Sequence, residues 1–175
     1  YRDISDRKQK EDEIRRLIYE DHLTGLYNRL YCYNRLSEFI IEHRPFLLMY
    51  CDLDKFKEVN DHYGHRAGDE LLQAIGSRLT MKLSDRFDIA RLGGDEFALF
   101  STSCLGKREQ TVDELRDLFS QPFQLSHGKC SIGLSIGTAA FPKEGADVDE
   151  LLKHADMAMY AEKHSHREAA KGIKR

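Results

Sequence analysis

Apolar positions recur along the chain in changing rhythms, and each change of rhythm marks an element. Over residues 1–20 the stripe is thin: Ile14, Leu17 and Ile18 stand among dense mixed charge. That pattern predicts a helix with too little apolar face to fold alone, one that pairs with a copy of itself or joins an upstream domain. From Asn28 to about His43 the spacing is amphipathic and helical, and Pro45 stops it, because the residue before a proline is pushed out of the helical region. Phe46 to Cys51 is an unbroken apolar run of strand length, the pattern of a central strand covered on both faces. Gly68 to Leu83 is helical again, with Leu71, Leu72, Ile75 and Leu79 on one face. Phe87 to Ser101 reads as a hairpin turning at Gly93-Gly94, followed by a helix from about Arg108 to Gln121. A second β pair, Phe123 to Ser126 and Lys129 to Ala140, turns at His127-Gly128, and a last helix runs from about Val148 to His164. Helices alternating with strands around one mixed sheet, interrupted by two hairpins, fit a ferredoxin-like palm of the α/β (α+β) class.

Length and composition narrow this further. A chain of 175 residues with 41% hydrophobic content supports one domain plus a short extension. A net charge of −3 and a pI near 6.3 argue against binding nucleic acid by bulk electrostatics, so local basic positions must carry any phosphate binding. Cys32, Cys51, Cys104 and Cys130 are scattered without C-x-x-C spacing, as expected of reduced, mostly buried thiols in a cytoplasmic protein. No signal peptide and no long apolar span is present, so direct membrane insertion is not expected of this chain.

The candidate chemistry gathers at a few places. In Arg91-Leu92-Gly93-Gly94-Asp95-Glu96-Phe97, two glycines supply the positive φ angles of a tight turn and lead into two adjacent carboxylates. Alone, Gly-Gly-Asp-Glu is an ordinary solvated turn. As a pair, however, the acids repel unless a cation or water separates them, which suits a divalent metal. The buried strand ends in Asp52-Leu53-Asp54-Lys55-Phe56-Lys57, where Asp52 and Asp54 share one side if the strand continues that far. Asn60 both donates and accepts, and ionised Asp69 only accepts, so the pair could read the edge of guanine. Each alone is equally explained as a turn residue or as a favourable charge in a first helical turn. Lys163 and Arg167, four apart, share a face if the last helix persists, and could clamp a triphosphate.

These segments, in this order, resemble the GGDEF domains, the catalytic domains of diguanylate cyclases, over about Asp21 to Arg167. Asp21-His22-Leu23-Thr24-Gly25-Leu26-Tyr27-Asn28-Arg29 matches the opening motif of that family. The resemblance implies a mainly antiparallel five-stranded sheet flanked by helices, similar to class III nucleotidyl cyclases and polymerase palms. It also implies condensation of two GTP to cyclic di-GMP plus two pyrophosphates, in a homodimer held by the N-terminal helix with active sites facing each other. Asp52, the carbonyl of Leu53, Asp95 and Glu96 would surround Mg²⁺, for which Mn²⁺ can substitute. Glu96 is either a second-metal ligand or a proton acceptor, and Asp54 has a structural role. Asn60 and Asp69 would bind guanine; Phe56, Lys57, Gly94, Lys163 and Arg167 would bind phosphate. Residues 1–20 resemble the exit of a PAS sensor domain, residues 21–170 the catalytic domain, and residues 171–175 a tail. A catalytically impaired GTP-binding regulatory module is the alternative.

Four departures from the family pattern stand out. Glu162 replaces an Ala, His166 a Gly and Glu168 an Asn, around Lys163 and Arg167. The inhibitory product site of many relatives, Arg-x-x-Asp, has Ser84 and Phe87 at its two key positions, so inhibition through it is expected to be absent or weak.

Overall fold

The apolar run beginning at Phe46 forms β1 (Phe46–Asp54), buried at every position but the last. In the computed structural model, which describes residues 2–173, β1 is preceded by α1 (Arg2–Tyr19) and α2 (Arg29–Ile41). It is followed by α3 (Phe56–Tyr63), α4 (His65–Leu83), β2 (Asp88–Gly93), β3 (Glu96–Ser101), α5 (Arg108–Ser120), β4 (Phe123–Leu125), β5 (Gly128–Cys130), β6 (Gly133–Phe141) and α6 (Val148–Ile173). The architecture is an α+β palm: an antiparallel sheet in the order β2-β3-β1-β6, with helices on both faces.

Alternation along β1 divides the core in two. Leu47, Met49, Cys51 and Leu53 face α4 and α5, where Leu71, Ile75, Leu79, Leu115 and Phe119 meet them. Phe46, Leu48 and Tyr50 face α2 and α6, against Leu36, Phe39, Leu151, Ala155 and Met159. A strand buried on both sides is fixed in register, since a slip of one residue would exchange its two faces. Asp52 and Asp54 share the parity of the α2–α6 face, and this places both acids beneath α6.

The structure corrects the expected strand count. The sheet has four strands among the described residues, not five, because the stretch Lys129 to Ala140 is split. Gly128–Cys130 pairs only with Phe123–Leu125 as a separate two-stranded ribbon, and Gly133–Phe141 alone joins β1. Cys130, Ile132, Leu134 and Ile136 keep the strand alternation through the break and all enter one core cluster, so the pattern cannot reveal it. Arg78 of α4 holds the start of the ribbon. Its guanidinium donates to the carbonyls of Leu118, Gln121 and Pro122 at 2.8, 2.6 and 2.7 Å and lies 3.7 Å over the Phe123 ring. The parallel character expected of a mixed sheet is confined to a one-residue bridge, Tyr27 beside Ala90 on the β2 edge.

Two further boundaries differ from the pattern. The helix α3, eight residues long and without a fully buried residue, packs Phe56 and Val59 partly against the core, a period too short to mark an element in the sequence. Helix α6 continues past His164 to Ile173, taking in most of the expected tail, while Lys174 and Arg175 lie outside the described residues. All four cysteines are buried and free. No helix among the described residues is long and apolar enough to cross a membrane.

At the opposite edge of the sheet, β6 presents unpaired N–H groups, the kind of edge that invites pairing with other chains. Two carboxylates cover it: Glu162 accepts from Ile136 N at 3.0 Å and Glu144 from Ala140 N at 3.0 Å. Helix α6 reaches this edge because Gly137 has no side chain; a Cβ there would stand 1.9 Å from the carbonyl oxygen of Ala155 and 2.3 Å from the backbone nitrogen of Met159. Both are helix backbone and cannot step aside. Gly137→Ala is therefore expected to destabilise the fold by about 2–3 kcal/mol, the upper part of the overpacking range. Urea unfolding checks this, and an unchanged midpoint would contradict the packing described.

Candidate functional site

The end of β1 carries the chemistry. Asp52 is paired across the sheet with Glu96 on β3 and with Ser135 on β6. Between β2 and β3 the chain turns on Gly94 and Asp95, with Gly93 opposite Glu96 and positive φ at both glycines, 140° and 50°. The backbone of Leu53 donates to the carbonyl of Asp95 at 3.2 Å, which binds the turn to the strand end. The two carboxylates are thereby forced together. Burial first, then the charge of Asp52 and a hydrogen bond with it, push the Asp95 carboxyl up to about 6.

One cation already answers this pair. The Lys163 ammonium on α6 donates to Asp52 Oδ2 at 2.7 Å and to the carbonyl oxygen of Leu53 at 3.1 Å. The other carboxylate oxygen, Asp52 Oδ1, is buried without a hydrogen-bond partner. A set of hard oxygens that accepts an ammonium and leaves one buried oxygen unpaired suits a Mg²⁺ ion. That ion takes few protein carboxylates and completes its shell with phosphate and water. Asp52, Asp95 and the Leu53 carbonyl are the groups that could hold it. No side-chain cage of three His, Cys, Asp or Glu exists among the described residues. Glu96 is turned aside: Tyr50 Oη donates to its Oε2 at 2.8 Å, and an Arg29 nitrogen lies 3.9 Å from the same oxygen.

Beside these oxygens opens a cavity of about 400 Å³, lined among others by Asp95, Lys55, Phe56, Lys57, Lys163 and Arg167. Lys55 has φ 61°, a left-handed conformation uncommon for a side-chain-bearing residue and often found at functional sites. It turns the chain from β1 into α3, and no side chain caps the helix start. The first N–H groups of α3 thus remain available to an anion, beside Lys55 and Lys57. Lys55 escaped the sequence reading; its signal was a lysine between a strand-ending Asp and a helix.

The two candidate guanine-reading residues meet at the α3–α4 corner. Asn60 lies on α3 with its side chain against Gly68, so close that a Cβ at Gly68 would stand 1.9 Å from Asn60 Oδ1. Exposed Asp69 follows directly on α4, one turn in from the helix start at His65, so it is not the first-turn charge its place in the sequence suggests. Gly68 was also missed, although a glycine preceding an acid in a helix is itself a signal of close approach. Asp54 turns away from the Asp52–Asp95 pair, accepting from Ser135 Oγ at 2.6 Å. Gly94 lies exposed in the turn. At the positions of the inhibitory product site, Ser84 ends α4, Phe87 is buried in the core, and neighbouring Arg86 is paired with Glu114.

The opening motif grips the β2–β3 hairpin through one side chain. Arg91 donates to Asp21 Oδ1 at 3.0 Å and, with its other nitrogens, to the carbonyl of Gly94 at 3.0 and 2.8 Å. Burial pushes the Asp21 carboxyl up, but hydrogen bonds from Thr24 and the Arg91 guanidinium outweigh it and hold the group below its ordinary range. Asn28 caps α2 by accepting from Tyr31 N and donates to the carbonyl of Ile18 at 2.7 Å, which fastens the end of α1 to the domain.

A sequence model of the family described as "Diguanylate cyclase, GGDEF domain" matches residues 18–169. The chain belongs to the GGDEF domain family. Among GGDEF relatives, it is 37% identical to the signaling protein YkoW of Bacillus subtilis over 93% of this chain and 21% of that protein. It is 38% identical to the diguanylate cyclase TpbB of Pseudomonas aeruginosa over 83% of this chain and 35% of that one. The chain therefore spans about a fifth to a third of the curated relatives it matches. A crystal structure of the coiled coil and GGDEF domain of DgcB from Caulobacter crescentus, in complex with c-di-GMP, superposes with a TM-score of 0.80 at 26% identity, covering 93% of this chain and 90% of that one.

The forced carboxylate pair of this GGDEF domain has a measurable consequence. Because Asp95 holds its proton longer in the folded chain than in the unfolded one, it makes stability fall as pH rises from its ordinary 3.8 to about 6. Asp95→Asn removes that repulsion. It is expected to stabilise the metal-free protein at about pH 7.5 by about 1 kcal/mol, a value discounted for the half-buried setting. Millimolar Mg²⁺ is expected to raise the melting temperature of the native chain more at about pH 7.5 than at about pH 5, and to do so far less in Asp95→Asn. Equal Mg²⁺ shifts at both pH values would overturn this account of the pair.

Proposed function

We propose that this chain is a diguanylate cyclase domain, condensing two GTP into cyclic di-GMP with release of two pyrophosphates. The observation that carries the reading is the oxygen set at the end of β1: Asp52 with one orphaned buried oxygen, Asp95 pressed against it and the Leu53 carbonyl, all beside a cavity edged with lysine and arginine. The names of the relatives, one a diguanylate cyclase and one a domain solved with c-di-GMP, support it.

In this reading Asp69 accepts the ring N–H and amino protons of guanine, and Asn60 pairs with a guanine acceptor. The open N-terminus of α3, with Lys57 and Arg167, cradles the phosphates, and Lys163 turns from Asp52 to the triphosphate. Asp52, Asp95 and the Leu53 carbonyl would hold Mg²⁺, which would supply neutralisation of charge on the α-phosphoryl group and the leaving pyrophosphate. The 3′-hydroxyl of the GTP on a facing protomer attacks the α-phosphorus; the new P–O bond forms as the bond to pyrophosphate breaks. Glu96, opposite Asp52, stands by as a further ligand or as acceptor of the hydroxyl proton. The work is positioning and charge stabilisation. Two domains are brought face to face by α1, whose Ile4, Ile14 and Leu17 are exposed apolar residues on a charged helix and need a partner surface, here a second copy. An upstream sensor domain would set that pairing.

Incubation of the purified chain with GTP and Mg²⁺ is expected to yield cyclic di-GMP, with Asp95→Ala lowering turnover at least about a hundredfold. Addition of product to the same assay is expected to leave the rate little changed. If GTP binds but no product forms, even when the chain is artificially dimerised, the domain is a GTP-binding regulatory module and the cyclase reading falls.

The guanine corner has a test of its own. Gly68→Ala favours the helix by up to about 1 kcal/mol in intrinsic propensity, yet its methyl group must displace the Asn60 amide. Stability unchanged or raised, together with about tenfold weaker GTP binding by calorimetry, is the expected combination. Unaltered affinity would remove Asn60 from the guanine site.

A further inference from the structure

The last part of α6 is held without an apolar anchor. The helix buries Val148, Leu151, Ala155 and Met159, but after Met159 none of its described residues is buried. Lys163 and Arg167, which edge the phosphate cavity, both ride on this unanchored stretch. What ties it down is polar and centres on His166, at the position where the family pattern has a glycine. His166 Nδ1 lies 2.9 Å from Asp54 Oδ2 and 3.2 Å from Ser135 Oγ, and Nε2 lies 3.4 Å from Glu162 Oε1. Ser135 donates its own proton to Asp54 Oδ1 at 2.6 Å, which leaves Nδ1 to serve Oδ2. Glu162, the other departure from the family pattern in this turn, accepts from Ile136 N at 3.0 Å and is paired with Arg116 of α5.

Two substitutions that look independent in the sequence thus form one connected set, running from α5 through α6 to the ends of β1 and β6. We propose that His166 is a positioning residue of this nucleotide site: it latches the C-terminal part of α6 to Asp54 and Ser135, and so sets Lys163 and Arg167 at the cavity. The inference rests on the GTP-binding reading above and adds a residue to it. Its need follows from Lys163. When that ammonium leaves Asp52 for a phosphate, the stretch beyond Met159 loses its polar tie to β1, and the Asp54 contact of His166 is the one that still holds that stretch to the strand. The same latch keeps Asp54 turned from the metal-binding oxygens, which leaves Asp52 and Asp95 as the acid pair. Gly133 makes room for it, since a Cβ there would stand 3.0 Å from Asp54 Oδ2.

The test uses the whole 175-residue chain and two variants, His166→Ala and His166→Asn. Alanine removes the ring at no cost in helix propensity, and asparagine restores a donor near the place of Nδ1. Two quantities are read: amide hydrogen exchange over residues 164–172 without nucleotide, and affinity for a non-hydrolysable GTP analogue with Mg²⁺. His166→Ala is expected to speed exchange in that stretch and to weaken the analogue about tenfold, with exchange in β1 unchanged and with His166→Asn recovering most of both losses. Unchanged exchange overturns the latch. Faster exchange with unchanged affinity overturns the positioning role while leaving the latch in place. A native chain that fails to bind the analogue sinks the nucleotide reading and the positioning role with it, whereas the exchange result still reports on the latch, so the two failures are told apart.

Discussion

Two carboxylates that repel each other at the end of a fully buried strand are the constraint around which this molecule is organised. Asp52 cannot retreat, because β1 is fixed in register by apolar residues on both of its faces. Asp95 is equally held, because its carbonyl receives the Leu53 N–H and the turn that carries it is grasped by Arg91. The pair persists only because surrounding packing exceeds its repulsion, as is common where function requires a locally unfavourable arrangement. Lys163 offsets part of that repulsion, and the remaining demand for positive charge is what makes the strand end a plausible seat for a metal-bound triphosphate.

Much of this was legible in the residues themselves, for identifiable reasons. The unbroken run Phe46 to Cys51 announced a central strand, since few other environments accept six consecutive apolar residues. The paired glycines before Asp95 announced a hairpin, and Asp52 was placed by strand alternation. Other features left too little periodic trace. Helix α3 is eight residues long, so Phe56 and Val59 make too short a period to mark it. The break before Gly133 preserves alternation, so it is invisible to a pattern of apolar positions, and the Arg78 clamp on the junction of α5 and β4 joins residues more than forty apart in sequence. Lys55 and Gly68 act through backbone conformation and through empty space, properties that a list of chemically active side chains passes over.

Arg91 shows how the opening segment is joined to the chemistry. Its guanidinium bridges Asp21, just beyond the N-terminal helix, to the carbonyl of Gly94 in the hairpin, and the fork geometry of arginine suits two directions at once. The bridge is short and its Asp21 end is largely shielded from solvent, so a shift of α1 bears directly on the turn that carries Asp95. A mechanical link of this kind does not by itself establish regulation, but it supplies the contiguous contact that any transmission from α1 would need.

The departures around Lys163 carry a more general point about reading a family pattern. Judged one position at a time, Glu162 and His166 look like defects near Lys163, one adding negative charge and the other replacing glycine. In three dimensions the added charge is absorbed by Arg116 and by the free N–H of Ile136, and the imidazole ring meets Asp54, whose opposite neighbour is Gly133. The histidine faces two carboxylates, Asp54 and Glu162, and the glutamate faces three groups, Arg116, the Ile136 N–H and His166. Such mutual satisfaction is the pattern of a connected, half-buried polar network. The altered turn of α6 is therefore held to the sheet by contacts of its own, and Lys163 keeps its place beside Asp52.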